Sequence, residues 1–347
     1  MKKYRLIFIG FGVVGQGLTE ILLEKKDWLK RNYGFEYEIV AAATRSRGSI
    51  ANESGLDGRK LLALIQNNNK LEEYPEGVKG LSAIEIINNI PGDILIEITV
   101  TNIQTGEPAL SHCNSALNKG MDVVTANKGP IALHYHELKA QAHSRNLSLG
   151  IEGTVMGGTP VINTGMHSLA GCKISKIRGV LNSTTSLILS EMETGKNYQQ
   201  ALRKAQQLGY AEADPSADVE GWDAVAKVVI LGNVLMRLQL TPADVIRTGI
   251  TGLSMEDIER AKKENCRWKL VGEISNQNGL VKASVQPVKL PMTDALARID
   301  GRVNAISFDT DLLGLVTVTG SGGGGRSTGF ALLTDMLAIH RAKHHHY

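Results

Sequence analysis

The chain has 347 residues, of which 42% are apolar and 21% charged, and its formal net charge is +3. This composition is typical of a soluble globular protein with two domains, each long enough for its own core. Acidic and basic residues are interspersed, so nothing favours a nucleic-acid or membrane partner. The three cysteines, Cys113, Cys172 and Cys266, are widely spaced. They argue against a disulfide framework and predict a reducing, cytoplasmic location.

The amino-terminal segment predicts a strand, a glycine turn and a helix. Residues 7–9 are apolar, G-x-G-x-x-G spans 10–15, and residues 16–28 have a helical pattern. This spacing permits a tight turn, admits a pyrophosphate at the helix N-terminus and lets the helix pack on its strand. The predicted cofactor-binding residues of the turn are Gly10, Phe11, Gly12, Val13, Val14 and Gly15.

Three later segments continue this pattern. Residues 36–43, 93–100 and 122–125 are typical of buried parallel strands, and helical patterns fill the intervals. We therefore predict a Rossmann-type α/β domain over residues 1–150.

The end of the second predicted strand indicates the cofactor. An NAD-specific domain usually has an acid there for the ribose hydroxyls, but this chain reads Thr44-Arg45-Ser46-Arg47-Gly48. Arg45, helped by Arg47 or Lys60, is predicted to bind the 2′-phosphate of NADP. The alternative is that these are solvated loop cations, which leaves NAD possible.

A short apolar strand at residues 123–125 places Asn127 and Lys128 at a carboxyl edge of the sheet. Open parallel sheets bind their ligands at that edge. Asn127, Lys128 and Thr99 are predicted to contact the cofactor, and Lys128 is also a candidate catalytic residue.

The most informative segment is GYAEADPSADVEGWDAVAK at residues 209–227, which combines five acids and one lysine with an apolar helix. Asp223 and Lys227 are four residues apart, so their side chains leave one helix face and can touch. The run after Gly221 is too apolar for a surface helix. Because a buried ion pair adds little net stability, a chemical role is predicted for it. The alternative is an exposed helical salt bridge.

The middle of the chain, residues 151–319, predicts an α+β substrate-binding domain. Residues 174–181, 269–274, 280–288 and 312–319 are strand-like, and Asn276-Gln277-Asn278-Gly279 is a strong hairpin signal. Helices over residues 197–208, 221–238 and 255–265 are expected to cover one face of the sheet.

Residues 320–347 are expected to return to the first domain. A glycine-rich loop beside the nicotinamide, with contacts from Gly322 and Gly324, should lead into a helix over residues 327–339. Residues 320–328 also nearly match G-x-x-x-x-G-K-[ST], the phosphate loop of nucleotide hydrolases. Arg326 replaces the lysine of that motif, which makes hydrolysis the weaker alternative. A non-catalytic cofactor-sensing protein is disfavoured because both candidate lysines and Asp223 are present.

Four motifs, in this order, closely resemble homoserine dehydrogenase. They are residues 10–15, VVTANKGP at 123–130, EGTVMGGTP at 152–160 and the segment at 209–227. The resemblance covers nearly the whole chain. It implies reversible NAD(P)H-dependent reduction of L-aspartate 4-semialdehyde to L-homoserine, by a short form without a kinase or C-terminal regulatory domain. Another dehydrogenase of a small amino-acid aldehyde or hydroxy acid is the alternative.

The same resemblance implies the roles of individual residues. Lys227 and Lys128 would flank the substrate, with Asp223 orienting the reacting group or a water, and which lysine donates the proton stays open. Further substrate contacts would be Glu212, Asp218, Asn182 and Thr184. A monovalent cation, usually sodium, would be enclosed by the backbone around Glu152, Val155, Gly157 and Thr159. A homodimer would form through the second sheet.

The chain departs from the family pattern at one turn, and it lacks the motif of one enzyme that shares the metabolite. Ser183 and Ser186 stand where the family usually reads close to NGTTNYIL, so the contacts of that turn are expected to differ in detail. Aspartate semialdehyde dehydrogenase shares the metabolite but needs a nucleophilic cysteine, and neither Cys113 nor Cys172 lies in a supporting motif.

Overall fold

The computed structural model describes residues 3–344. Two compact units divide the chain. The first takes the described residues up to Gly158 and those from Gly324 onward, and the second is Thr159–Gly323. The last part of the predicted return segment, residues 345–347, lies outside the described residues. Within residues 3–344, no helix is both long enough and apolar enough to cross a membrane.

Seven strands form the sheet of the first unit: β1 Lys3–Ile9, β2 Glu36–Thr44, β3 Gly48–Leu56, β4 Val78–Lys79, β5 Ile94–Glu97, β6 Asp122–Thr125 and β7 Leu149–Gly150. Their order is β4-β3-β2-β1-β5-β6-β7. Strands β2, β1, β5, β6 and β7 pair in parallel. The chain order therefore reverses beside β1, which is where open α/β sheets bind ligands.

Six helices surround this sheet: α1 Val13–Tyr33, α2 Gly58–Gln66, α3 Ala83–Asn89, α4 Ala109–Asn118, α5 Lys128–Ser144 and, at the end of the chain, α12 Gly325–His344. Helices α1 and α12 pack closely together. A Cβ added at Gly17 of α1 would lie 2.5 Å from the carbonyl carbon of Gly325. The predicted Rossmann-type domain is confirmed, and its first helix begins earlier and ends later than the sequence pattern indicated.

The interval after β2 differs from the prediction of helical connections. Strand β3 turns back at once and pairs antiparallel with β2, with Thr44 opposite Gly48. Gly48 has a φ of +71°, a left-handed conformation that glycine adopts without strain. The turn that carries Arg45 is therefore the tip of a hairpin, and the helices α2 and α3 follow later.

A six-stranded sheet forms the second unit: β8 Ile174–Val180, β9 Ile246–Arg247, β10 Cys266–Gln277, β11 Leu280–Pro291, β12 Val303–Thr310 and β13 Gly314–Ser321. The strand order is β13-β12-β8-β10-β11-β9. The helices of this unit are α6 Val161–Asn163, α7 Ser183–Met192, α8 Tyr198–Gln207, α9 Ser216–Val219, α10 Trp222–Leu235 and α11 Met255–Lys263. The predicted α+β class of this part is confirmed.

The hairpin predicted from Asn276 to Gly279 connects β10 and β11, which pair antiparallel up to Gln277 and Leu280. Asn278 and Gly279 have φ values of +53° and +89°, as a two-residue hairpin turn with both central residues left-handed requires. Strand β12 was not predicted. It is buried over most of its length, so its sequence shows little of the alternation that marks a half-exposed strand.

Candidate active site

The glycine turn of the first unit leaves the N-terminus of α1 open. Gly10 has a φ of +101°, and a Cβ there would lie 2.4 Å from the carbonyl oxygen of Ile98 on the neighbouring chain segment. Gly12 is the N-cap of α1 and contributes no side-chain cap. Val13 is exposed. The first N–H groups of α1 are thus available to a pyrophosphate, and the helix dipole favours its charge.

Thr99, Asn127 and Lys128 come together at the carboxyl ends of β5 and β6. The amide Nδ2 of Asn127 lies 3.1 Å from the carbonyl oxygen of Thr99 and 3.2 Å from its Oγ1. Asn127 is also the N-cap of α5, because its Oδ1 accepts a hydrogen bond from the backbone N–H of Gly129. Lys128 is the first residue of that helix, so its backbone position is fixed by the cap.

The three cations predicted to bind the 2′-phosphate have different surroundings. Arg45 is exposed at the tip of the β2–β3 turn. Arg47 directs its guanidinium to the carbonyl oxygen of Ile65 and, at 3.0 Å, to the Oδ1 of Asn68. The Nζ of Lys60 lies 5.9 Å from the ring centroid of Tyr74. Arg47 thus contributes to the structure of the α2 C-terminus.

Lys227 and Asp223 form a contact on the inner face of α10. The Nζ of Lys227 donates to Asp223 Oδ2 at 2.7 Å and to the carbonyl oxygen of Leu181 at 2.6 Å. The side chain of Lys227 is 10% exposed and that of Asp223 is 17% exposed. The ammonium is therefore held between a carboxylate and a carbonyl in a largely dry environment. Lys227 is buried as predicted, whereas Asp223 is only partly buried and the adjacent Trp222 is exposed.

Asn182 joins two of the acids to this pair. Its Nδ2 donates to Asp218 Oδ1 at 2.6 Å and to Asp223 Oδ2 at 2.9 Å. Burial raises the pKa of Asp218 above its usual value, and the neighbouring carboxylate of Asp223 raises it further. Lys227, Asp223, Asn182 and Asp218 are thus one hydrogen-bonded cluster.

The other two predicted substrate contacts lie near this cluster in the chain. Thr184 donates from its Oγ1 to the carbonyl oxygen of Tyr210 at 2.8 Å, which ties the first turn of α7 to the segment preceding Glu212. Glu212 is exposed. Arg302 lies over the ring of Tyr210, with its guanidinium carbon 4.5 Å from the ring centroid.

The turn predicted to enclose a cation is buried and irregular. Residues Glu152–Thr154 form a single 3₁₀ turn, and Met156 and Gly157 both have positive φ. Within residues 3–344, no backbone N–H donates to the carbonyl oxygen of Val155 or to that of Gly157. Buried carbonyl oxygens without hydrogen-bond donors are suitable ligands for a hard monovalent cation. The carbonyl oxygens of this turn therefore fit the predicted cation.

A conventional metal centre is not found in the part of the chain that the structure describes, since no three His, Cys, Asp or Glu side chains converge there. Gly322 and Gly324 belong to different units. A Cβ at Gly322 would lie 2.2 Å from the Oγ of Ser183, so a larger residue there would require neighbouring side chains to shift. The φ of Gly324 is +119°.

Two contacts of the site were missed by the sequence analysis. The carbonyl of Leu181 gives no side-chain signal, so its bond to Lys227 could not be predicted. Glu97 did give a signal, because it is a lone charge in the apolar run DILIEITV. It is completely buried at the end of β5.

A dinucleotide-type sheet with an open helix N-terminus and a second unit with a buried lysine–carboxylate cluster define an NAD(P)-dependent oxidoreductase. The model of the family "Homoserine dehydrogenase, NAD binding domain" matches residues 10–152. The model of the family "Homoserine dehydrogenase" matches residues 160–337.

Curated relatives match this chain over nearly its full length. The chain is 44% identical over 343 residues to an NAD(+)-dependent homoserine dehydrogenase of Pseudomonas canavaninivorans, covering 99% of this chain and 97% of that protein. It is 38% identical to the homoserine dehydrogenase of Methanocaldococcus jannaschii, covering 97% of this chain and 98% of the relative.

Solved structures give the same result. A putative homoserine dehydrogenase from Archaeoglobus fulgidus superposes with a TM-score of 0.87 at 34% identity, over 97% of this chain and 99% of that one. A hyperthermophilic archaeal homoserine dehydrogenase in complex with NADPH superposes with a TM-score of 0.83 at 32% identity, over 97% and 98% of the two chains. The chain belongs to the homoserine dehydrogenase family. Its activity is the reversible NAD(P)-dependent interconversion of L-aspartate 4-semialdehyde and L-homoserine, a reaction of amino-acid biosynthesis.

Proposed function

We propose that Lys227 is the proton donor in aldehyde reduction and that Asp223 orients it. When bound, the reduced nicotinamide would supply a hydride to the carbonyl carbon. The carbonyl oxygen then gains negative charge, which a lysine ammonium can stabilise and protonate. The observation that carries this proposal is the double contact of the Lys227 Nζ with Asp223 and the Leu181 carbonyl. Two acceptors fix the ammonium, so its third N–H can point to the substrate.

Lys128 is the second candidate for this proton. It begins α5 at the carboxyl edge of the first sheet, where it would contact the cofactor and the reacting end of the substrate. We assign it a charge-stabilising role, and proton donation by Lys128 is the alternative.

The amino group of the substrate is proposed to bind the acids of the same cluster. Asp218 is held by Asn182 at 2.6 Å, and Glu212 is exposed and accessible to a ligand. A primary ammonium donates three hydrogen bonds, which two carboxylates can accept. Thr184 and Asn182 would shape this pocket through their bonds to Tyr210 and Asp218.

For the cofactor, we propose a preference for NADP over NAD. Arg45 is exposed at the tip of the β2–β3 turn, where an acid would select NAD. The relatives include both an NAD(+)-dependent enzyme and an enzyme solved with NADPH bound. Of the three cations, we assign the phosphate contact to Arg45, because Arg47 already binds the end of α2.

A sodium ion is proposed at the turn formed by Glu152, Val155, Gly157 and Thr159. The support is the pair of carbonyl oxygens at Val155 and Gly157 described above. Replacing sodium by a bulky organic cation should lower activity, and full activity without any small monovalent cation would contradict the assignment.

We further propose a cytoplasmic homodimer that assembles through the second sheet. Three leucines near the β12–β13 turn, Leu312, Leu313 and Leu315, are exposed. Such a cluster of large apolar side chains is typical of an interface. The three cysteines are unpaired, in keeping with a reducing compartment.

The catalytic proposal predicts that Lys227→Ala lowers kcat/KM at least about a hundredfold, the low end for general acid–base catalysis. The affinity for NADPH should hardly change. Reduction of L-aspartate 4-semialdehyde is followed by NADPH absorbance, and cofactor affinity by its fluorescence. Lys269→Met is the matched control. Lys269 is a fully buried lysine of the same unit that donates to the Ile299 carbonyl.

The control variant should change thermal stability and leave kcat/KM within about threefold of the wild type. If Lys227 only neutralises Asp223, the double variant Lys227→Met, Asp223→Asn will keep nearly full turnover. That result would reject the catalytic assignment.

A further inference from the structure

One buried acid lies behind the proposed cofactor edge of the first unit. Glu97 is the last residue of β5 and has no exposed surface. The Oε1 atom of Glu97 accepts a hydrogen bond from Thr99 Oγ1 at 2.5 Å and lies 3.3 Å from His112 Nδ1. Its other oxygen, Oε2, is buried and has no partner among residues 3–344. A buried carboxylate with only one oxygen hydrogen-bonded costs desolvation energy that its contacts offset only in part.

A series of hydrogen bonds leads from Glu97 through Thr99 and Asn127 to the start of α5. The Thr99 hydroxyl has a single proton, which it donates to Glu97, so it can only accept from Asn127 Nδ2 at 3.2 Å. Asn127 Oδ1 then accepts from the N–H of Gly129 and caps α5. Lys128 lies between these two residues in the chain.

A second bond connects the same strands. Thr125 Oγ1 donates to the backbone carbonyl of Glu97 at 2.8 Å and accepts from the N–H of Asn127 at 2.9 Å. This bond starts at the backbone carbonyl of residue 97, so it holds Asn127 whatever the side chain there, and the Glu97 carboxyl acts through Thr99 alone. On the inner side, His112 of α4 is itself buried, so the imidazole fixes the carboxylate from behind.

We propose that Glu97, backed by His112, is a positioning residue that sets the orientation of the Thr99 hydroxyl and, through Asn127, the start of α5 with Lys128. In this proposal Glu97 does not touch the ligand. Its Oε1 acceptor fixes the direction in which each hydrogen bond from Thr99 to Asn127 points. The inference rests on the proposed roles of Thr99, Asn127 and Lys128 in the cofactor edge. It explains why an acid is retained at a fully buried position despite its cost in stability.

The test replaces Glu97 in the full-length protein and measures the cofactor Kd by NADPH fluorescence and kcat by absorbance. Glu97→Ala should weaken cofactor binding and lower kcat by about tenfold to a hundredfold, because small misplacements of catalytic groups have effects of that size. Glu97→Gln should recover most of the loss. Its carbonyl oxygen can take the place of Oε1, and its NH₂ can take the place of the unpartnered Oε2.

Two further variants keep the test decisive. Glu97→Met has a similar length and no charge, so it should fold even if Glu97→Ala does not, and it should show the same functional loss. Asp93→Ala is the matched control, because Asp93 immediately precedes β5 and its Oδ2 accepts from the N–H of Arg5. It should lower the melting temperature and leave Kd and kcat unchanged.

The route through Thr99 is tested by a double-mutant cycle with Thr99→Val. If Glu97 acts through that hydroxyl, Glu97→Ala, Thr99→Val should bind NADPH about as weakly as Thr99→Val alone. Multiplicative effects of the two changes, or folded Glu97→Met with wild-type Kd and kcat, would overturn the proposal. So would a Glu97→Gln enzyme as impaired as Glu97→Ala. Because this cycle is read from cofactor binding, it stays valid even if Lys128 has no role in the reaction.

Discussion

Asp218 illustrates how a single residue of the site can be unfavourable for stability. Its carboxyl is largely buried beside Asp223, and both burial and that neighbouring charge raise its pKa above the usual value. The hydrogen bond from Asn182 opposes this shift only in part. In the unfolded chain the same carboxyl ionises near pH 4. The folded protein therefore binds more protons than the unfolded chain at pH values between the two pKa values.

The raised pKa of Asp218 in the folded protein predicts how Asp218→Asn changes the stability. As pH rises from the unfolded pKa through the raised folded pKa, the wild type loses stability at this position. The asparagine variant cannot ionise and keeps a carbonyl oxygen for Asn182. The variant should therefore gain unfolding free energy relative to the wild type as pH rises above about 4, with no relative change below that pH. Urea unfolding at pH 4 and pH 8 measures the difference.

Activity provides the complementary measurement. If Asp218 binds the substrate ammonium, Asp218→Asn should raise the KM for L-homoserine at least about tenfold, the value of a lost charge-assisted hydrogen bond. An unchanged KM would show that the acid has no contact with the substrate. A variant that is less stable at pH 8 relative to pH 4 would contradict the sign of the pKa shift.

At the scale of an element, the β12–β13 hairpin combines two properties that rarely occur together on a free surface. Strand β13 is an edge of its sheet, and the turn before it carries exposed leucines. Edge strands of monomeric proteins are usually protected by charge or by proline. An apolar, unprotected edge is instead typical of a surface that another chain covers.

The homodimer proposal predicts that Leu315→Glu weakens assembly. Leu315 is 65% exposed on β13, and a charge buried in an interface without a partner costs several kcal/mol in binding energy, about 2 to 5. Light scattering during size-exclusion chromatography should then show that Leu315→Glu has a mass near that of one chain at micromolar concentration. Leu208→Glu is the control, since Leu208 is also exposed but follows α8. A wild-type protein that is monomeric at all concentrations would reject the interface.

At the scale of the whole molecule, the sequence predicted the two kinds of sheet because local patterns determine them. The glycine turn at Gly10 and the hairpin at Gly279 are sites where a few neighbouring residues fix the backbone. The Asp223–Lys227 contact was predictable for the same reason, since helix geometry alone brings positions i and i+4 together.

Contacts between distant positions were not predictable in this way. Asn182 contacts Asp218 and Asp223 across 36 and 41 positions of the chain, and no periodicity indicates which amide reaches which acid. The same holds for the antiparallel return of β3, where the turn after Thr44 reverses a strand that is otherwise typical of a parallel sheet. Arg47 was grouped with Arg45 by composition, and only the folded chain shows that it binds the C-terminus of α2.

The cofactor preference can be measured through the stability of the whole protein, because a ligand that binds only the folded state raises its unfolding free energy. A ligand present at a hundred times its Kd adds about 2.7 kcal/mol to the unfolding free energy. NADPH should therefore raise the melting temperature more than NADH at equal concentration. Arg45→Ala should remove most of this difference, since one charge-assisted contact to the 2′-phosphate corresponds to about tenfold in affinity.

Arg31→Ala is the control for this measurement, because Arg31 is an exposed arginine in the last turn of α1, at the other end of the helix from the glycine turn. It should leave the NADPH and NADH shifts as they are in the wild type. Equal shifts by the two cofactors in the wild type would show that the chain does not discriminate. A difference that survives in Arg45→Ala would instead move the phosphate site to Lys60 or Arg47, and the corresponding alanine variants would then identify it.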